Sequence, residues 1–562
     1  MSKMVLAYLF CGALPFVLPV AAVRSASSFA GSTVSAVFPP PGATITVDES
    51  YFPDASQVGN AGPTPTGAEP EAIATAPVAG ANTNIYPLVA PQTSYSGTGI
   101  PFQVIRSWGN LSPWFSVGSD AFGLATADPQ VPSGCVLDEA HLLHRHGARY
   151  PTSGSGPSAL ATKVHVAANS SGFSATGPLE FLNTWTYKLG AELLTPFGRE
   201  QLFDLGVGFR VKYGGLLNGF TDLPVFRTTS EYRMVQSALN FAAGLFGIPD
   251  YQTSYHQEII IENPGFNSTL SPGYSCPNAL NNVAGDLGSY ASGNWTQIYL
   301  NATVPRLQQY VSGLNLTTDD VFSMQELCAY ETVALGYSRF CGLFTEEEWR
   351  GFDYSFDLAF WYGYGPGNPT AAAQGIGYVQ ELVARLTRMP LTMFDTSTNS
   401  TLDGNNITFP LNQPIYVDAS HDSVISTIVT ALNFTTLAAN GPLPIDRIPA
   451  YQTYQAHKIV PFGTNLVAQV LSCPASTTAG TNTGTTSDSA SYIRFLLNDG
   501  VVPLTGISHC ETPDTNGLCL LDNFIQGMQE RIAEVDFVYD CYANYTAPPL
   551  TSDPIVDGRM SR

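Results

Sequence analysis

The chain has 562 residues and carries 23 Lys plus Arg against 45 Asp plus Glu, a formal net charge of -22. So acidic a chain is a poor partner for nucleic acid or an anionic membrane, whose binding rests on protein cations; a small anionic substrate stays open, because a pocket can be positive inside an acidic shell. The length passes the roughly 250 to 300 residues at which a single core stops growing, so a second unit is expected beside the first.

Residues 1–22 open with Lys3, continue through an apolar run from Met4 to Leu18, and close on Val20-Ala21-Ala22. That is the basic start, short apolar middle and small-residue end of a secretory signal. Cys11, Gly12 and Pro15 break the run, which is short for a membrane span of about 20 residues. Residues 23–93 are mostly Ala, Ser, Thr, Gly and Pro, as in Gly62-Pro63-Thr64-Pro65-Thr66, and are expected to form an extended or disordered leader that buries little. Folding is expected from near Tyr95 and in any case by Val136.

With Cys11 removed in the signal, an even, scattered set remains: Cys135, Cys276, Cys328, Cys341, Cys473, Cys510, Cys519 and Cys541. Without repeated CxxC spacing it points to disulfides in an oxidising compartment rather than to zinc or iron-sulfur ligation. Asn-x-Ser/Thr sites at Asn169, Asn267, Asn294, Asn301, Asn315, Asn399, Asn406, Asn433 and Asn544 fit an exported chain bearing N-linked glycans.

Between Cys135 and Gly147 the apolar Val136, Leu137, Leu142 and Leu143 predict a strand that Gly147 ends. Leu223 to Phe226 predicts a second, with Arg227 at its end. Thr228 and Glu231 have capping-box spacing ahead of Val235, Ala238, Leu239, Ala242 and Leu245 at helical intervals. Met324, Leu327 and Tyr330, and the run from Gln374 to Leu391, are helical in spacing, so residues 179–395 are expected to be a mostly helical insertion. Ile415-Tyr416-Val417 predicts a third strand running to His421-Asp422, followed by a helix through Val424, Ile425, Ile428, Val429 and Leu432. The polar tract from Ala475 to Ser491 is expected to be a surface loop. Residues 94–178 and 396–550 together form the α/β part, and open α/β sheets place ligands at the carboxyl ends of their strands, where helix amino termini add N-H donors for an anion.

The segment His144-Arg145-His146-Gly147-Ala148-Arg149-Tyr150-Pro151 sets an imidazole between two permanent cations in a chain short of positive charge. Guanidinium forks bind phosphate oxygens bidentately, and a neutral imidazole beside them can accept a phosphoryl group. Arg145 and Arg149 should depress the His146 pKa and keep it nucleophilic in mild acid. The plainer alternative is that the arginines pair with carboxylates and His146 is a buried, satisfied ring. His141, His144 and His146 could suggest zinc, but on a strand His141 points away from the other two, and adjacent arginines repel a dication. Asp422 supplies a carboxyl that could protonate a departing alkoxide and then activate water; its alternative is helix capping. Arg227 is a third candidate phosphate clamp, while Arg233, nearly two helical turns on, is expected to be a structural partner.

These residues resemble the secreted histidine acid phosphatases of the fungal phytase branch, in which an Arg-His-Gly-x-Arg-x-Pro segment and a later His-Asp pair build the site. The likeness extends to Leu194-Thr195-Pro196-Phe197-Gly198, Gly365-Pro366-Gly367-Asn368-Pro369, Thr408-Phe409-Pro410-Leu411-Asn412 and Asn498-Asp499-Gly500-Val501-Val502-Pro503-Leu504, and it covers about Cys135 to Cys541. The resemblance implies a three-layer α/β/α domain with a mixed central sheet plus the helical insertion. It implies His146 as covalent nucleophile, Asp422 as proton donor, Arg145, Arg149, Arg227 and His421 as phosphate ligands, and no metal or other cofactor. It also implies the pairs Cys135 with Cys473, Cys276 with Cys541, Cys328 with Cys341, and Cys510 with Cys519. The expected substrates are phosphate monoesters, inositol phosphates among them. Thr152 to Ser158 carries no cation where phytase-like relatives tend to have lysines, and Lys163 and Lys188 are the nearest, which favours a broad acid phosphatase as the second reading. A silent wall glycoprotein would need the same parts misassembled, and a phosphoryl mutase would have intracellular partners that an export signal disfavours.

Overall fold

The structure, a computed structural model, describes residues 51–60, 68–74, 85, 87–88, 102–281, 284–474, 489–512, 514–550 and 554–560. The expected signal at 1–22, most of the leader, and residues 475–488 of the polar tract lie outside the described residues.

Eight strands form one mixed sheet. They are β1 (Val136–Arg145), β2 (Val225–Thr229), β3 (His256–Ile260), β4 (Ile415–Ser420), β5 (Asn465–Pro474), β6 (Ser489–Leu497), β7 (Gly500–Val502) and β8 (Cys519–Leu520). Their order is β8-β6-β5-β1-β4-β2-β3, with β7 paired to β6. Strands β1, β4, β2 and β3 run parallel, and β5 to β8 add antiparallel pairs. The carboxyl ends of β1, β2 and β4 therefore share one edge.

Side-chain alternation makes the layers. Leu142, Ile415, Val417 and Val467 face one side of the sheet, where Phe209, Phe241 and Leu245 cover them from helices α2 (Pro196–Tyr213) and α3 (Tyr232–Phe246). Leu143, Leu466 and Ala468 face the other. Helices α6 (Ala371–Thr387), α7 (Asp422–Ala431) and α8 (Leu521–Glu534) lie there with Ile376, Ile428 and Phe524. Helices α4 (Thr318–Leu335) and α5 (Glu346–Tyr364) contribute Met324, Leu327 and Phe352 to a second core with Leu160 and Leu182. The three-layer α/β/α domain is the one the family resemblance implies, and more than one core is what the length predicts.

Two boundaries differ from expectation. Residues 179–395 are mostly helical but not a separate insertion throughout, because β2 and β3 fall inside them and belong to the main sheet. The leader is also partly packed: Val58 is buried, the Phe52 ring meets Tyr150 edge-on at 5.3 Å, and the Gly59 N-H donates to Ala161 at 3.0 Å. Within helix α1 (Glu69–Ala74), Glu69 accepts from the Tyr150 hydroxyl at 3.0 Å. Isolated apolar anchors in a polar stretch do this, and composition averaged over the stretch hides them. All four cysteine pairs implied by the family resemblance are present, two of them closing separations of 338 and 265 residues.

Several interior carboxyls shape stability against pH. Burial raises Asp403 to about 8 and Glu258, Glu326 and Glu331 to about 7, from ordinary values of 3.8 for Asp and 4.5 for Glu. A carboxyl with a raised folded pKa binds its proton more tightly folded than unfolded, so its contribution is whole below about 4 and is lost as pH rises through 7 to 8. Asp418, Asp422 and Glu262 are depressed against the pull of burial by Arg227 and Arg385, by Arg145, and by His421 respectively, and theirs is lost only as pH falls well below 4. Melting temperature is therefore expected to be highest in mild acid and to fall steadily towards pH 8; a flat or rising curve from acid to neutral would contradict this placement of the protons.

Candidate active site

Strand β1 ends at Arg145 and delivers His146 just beyond the sheet edge. The turn that follows is held by backbone contact with the start of α2. Thr195 caps that helix by accepting the Gly198 N-H at 3.0 Å, and its own N-H donates to Ala148 at 2.9 Å. A Cβ on Gly147 would lie 2.1 Å from the Gly198 carbonyl oxygen, and one on Gly198 would lie 1.9 Å from that of Ala148, so both positions require glycine. Ser237 and Gln201 accept the Gly147 and Ala148 N-H groups.

His146 is buried, and its Nδ1 lies 2.8 Å from the Gly147 carbonyl oxygen. A carbonyl only accepts, so the proton sits on Nδ1 and the Nε2 lone pair is left available. Burial, then Arg145, Arg233 and Arg149, hold its pKa well below the usual 6.5, so the ring is neutral in mild acid. Around it are cations with buried donors that have no hydrogen-bond partner: Nε of Arg145, of Arg149 and of Arg233. Buried N-H groups are seldom left unpaired, and three converging guanidiniums suit an oxyanion.

Strand β4 runs parallel to β1, with Ser420 opposite Arg145, and so places His421 and Asp422 beside His146. The His146 and His421 ring centroids are 5.8 Å apart. His421 Nε2 is 3.0 Å from Glu262, a carboxylate that burial would raise but that His421, Thr229 and Ser271 hold down at about 2. Asp422 is the first residue of α7; its Oδ2 meets Arg145 Nη2 at 2.6 Å and accepts from Asn110 Nδ2 at 2.8 Å, and its Oδ1 accepts the Ser423 N-H. Burial pushes this carboxyl up, and Arg145, the Asn110 bond and Arg149 outweigh it to leave it below the ordinary 3.8.

The structure brings together Arg145, His146, Arg149, His421 and Asp422. It does not bring Arg227 to them. Strand β2 runs from Val225 to Thr229, so Arg227 is inside the sheet opposite Asp418 rather than at a strand end. Its buried guanidinium donates to Asp418 at 2.6 Å and Glu381 at 2.7 Å, and those carboxylates take up its charge. Arg233, expected to be only structural, takes the third cationic position from the first turn of α3, where Glu192 accepts from it at 3.0 Å and Glu231 pairs with it. The capping box is likewise absent, since Thr228 is in the strand and Glu231 is the N-cap without a side-chain cap bond.

The three neighbouring histidines have separate surroundings. His141 meets Glu139 at 2.6 Å and stacks on Tyr416, and His144 stacks on Phe241 with burial lowering it to about 4. Glu231, Glu262 and His421 are the three-ligand group among the described residues. Arg233 meets the charge of Glu231, and His421, Thr229 and Ser271 that of Glu262, within the chain itself. Asn110 is the other residue missed in the sequence; Asn110-Leu111-Ser112 is also a glycan acceptor triplet, yet its amide is committed to Asp422.

Comparison with known proteins follows the same lines. Residues 136–498 match the histidine phosphatase superfamily (branch 2). Phytase A of Aspergillus oryzae is 34% identical over 439 residues, covering 76% of this chain and 88% of that protein. Phytase A of Aspergillus fumigatus is 35% identical over 438 residues, covering 75% and 87%. The crystal structure of the phytase from D. castellii superposes with a TM-score of 0.64 at 26% identity, covering 84% of this chain and 96% of that one.

Proposed function

We propose that this chain, which belongs to the histidine phosphatase superfamily (branch 2), is an exported acid phosphomonoesterase that works by two displacements at His146. The observation that carries the reading is a neutral, buried His146, its Nδ1 committed to a carbonyl and its Nε2 left available, under the charge of arginines whose buried Nε donors are unpaired. Nε2 attacks phosphorus, the P-O bond to the alcohol breaks, and Asp422 gives its proton to the leaving oxygen. Water then attacks the phosphohistidine, Asp422 takes its proton, and the N-P bond breaks. Arg145, Arg149 and Arg233 hold the equatorial oxygens through both steps, where preorganised cations act without reorganising; His421, fixed by Glu262, adds a donor.

Asp422 is ionised in the free site, so the donor role needs a cause. A phosphate dianion engaging Arg145 and Arg149 removes the attraction that depresses the carboxyl and adds a like charge beside it, and both raise its pKa.

The Phytase A relatives make inositol hexakisphosphate a candidate substrate. The loop from Thr152 to Ser158 offers no cation for the remaining phosphates, and Lys163 is paired with Asp320. Hydrolysis of phytate, glycerol phosphate and an aryl phosphate by one preparation in mildly acidic buffer with excess chelator tests the proposal. All three are expected to be cleaved, with kcat/KM for phytate and glycerol phosphate within about tenfold of each other, the discrimination one or two weak subsite contacts supply. Loss of activity in chelator that zinc restores would overturn the metal-free mechanism, and no cleavage of any ester would overturn the function.

A further inference from the structure

The short turn Gly109–Leu111 lies before the stretch matched to the family, yet it touches both Asp422 and Arg145. The Asn110 side chain donates to Asp422 Oδ2 at 2.8 Å, and its backbone carbonyl accepts from Arg145 Nη1 at 2.5 Å. One residue thus sets a proton-carrying carboxyl and a cation relative to each other. What fixes the turn comes from α5, in the second core: the Gly109 N-H donates to Asp353 Oδ1 at 2.9 Å. Gly109 has φ +54°, and a Cβ there would meet Phe356 at 2.3 Å, so the turn is seated directly on α5.

Asp353 is itself oriented, by His457 Nδ1 at 2.9 Å. One helical turn further along α5, Asp357 accepts the Ala456 N-H at 2.6 Å and the Gln452 amide at 2.5 Å. The two carboxylates hold the turn and the residues 452–457 against one helix.

We infer that Asp353 is a positioning residue for proton transfer: by accepting the Gly109 N-H and pairing with His457, it fixes the turn that presents Asn110 to Asp422 and Arg145. The inference deepens the proposed function and rests on Asp422 being the proton donor. Its effect should appear where the donor matters, with poor alkoxide leaving groups, more than with a nitrophenolate that leaves without help.

The test measures kcat for glycerol phosphate and 4-nitrophenyl phosphate in Asp353→Ala, Asp353→Asn, Asn110→Ala and the Asp353→Ala/Asn110→Ala pair, with Asp422→Asn alongside. Asp353→Ala is expected to lower kcat for the alkyl ester about tenfold more than for the aryl ester, a loss typical of a modest misplacement. Asp353→Asn, which keeps an acceptor for Gly109, should recover most of it. The double variant should resemble Asn110→Ala alone, because both remove one interaction. Equal losses on both esters in Asp353→Ala, or effects that multiply in the double variant, would overturn the inference. Should the alanine variant fail to fold, His457→Ala, which removes the partner that orients Asp353, decides in its place: an alkyl-selective loss supports the inference, and equal losses on both esters or no loss overturn it. If Asp422→Asn itself shows no selectivity for the alkyl ester, the failure lies with the proton-donor reading and not with Asp353.

Discussion

Replacing His146 by Ala is expected to abolish the phosphoenzyme and to lower turnover by about ten-thousand-fold or more, as removal of an enzyme nucleophile does elsewhere. The size of the effect follows from the geometry. The guanidiniums of Arg145, Arg149 and Arg233 would still bind the ester, but no other described side chain offers an unprotonated ring nitrogen there: His421 is turned to Glu262 and His144 to Phe241. KM should therefore change much less than kcat. A phosphoryl group on nitrogen is stable in base and labile in acid, so wild-type protein quenched in base during turnover should carry label at His146 and the variant none. His144→Ala is the control: its ring is buried in the core, so it should cost stability while leaving the label in place. A burst of alcohol release that survives in His146→Ala would remove the covalent mechanism.

The legible part of this site was its charge. In a chain with so few cations, two arginines bracketing a histidine stand out, and the apolar runs before Gly147 and before His421 place both segments at strand ends that the parallel pairing of β1 and β4 then brings together. What could not be read depended on register and on distant partners. The second strand was expected at Leu223 to Phe226 and lies at Val225–Thr229; that small slip moves Arg227 from the sheet edge into its interior. The cause is that Arg227, Thr228 and Thr229 are polar yet buried, a state made tolerable by Asp418 and Glu381, 191 and 154 residues away, which no local pattern announces. Arg233 was within reach of sequence reasoning, since a cation in the first turn of a helix that follows a strand lies near a ligand at the sheet edge. Asn110 was not, because its contact with Asp422 spans 312 residues from a turn of no special composition.

Asp422→Asn should divide substrates by leaving group. An amide preserves the shape and the contact with Arg145 but cannot protonate a departing oxygen, so kcat for glycerol phosphate should fall about 100- to 10,000-fold, the range general acids supply. With 4-nitrophenyl phosphate the leaving phenolate needs no proton, and phosphorylation of His146 should stay fast. The second displacement still lacks its base, so the phosphoenzyme should accumulate, and the aryl ester should give a burst followed by slow turnover. The pH dependence carries the same sign. Asp422 is held below 3.8 in the free site by Arg145, and bound phosphate lifts it, so in wild-type protein kcat for an alkyl ester should hold to a higher pH than the free carboxyl could sustain. That limb belongs to Asp422 and should vanish in the Asn variant. Equal losses on both esters, with no accumulated phosphoenzyme, would instead make Asp422 a support for Arg145 and leave the proton to come from another group or from the substrate monoanion itself.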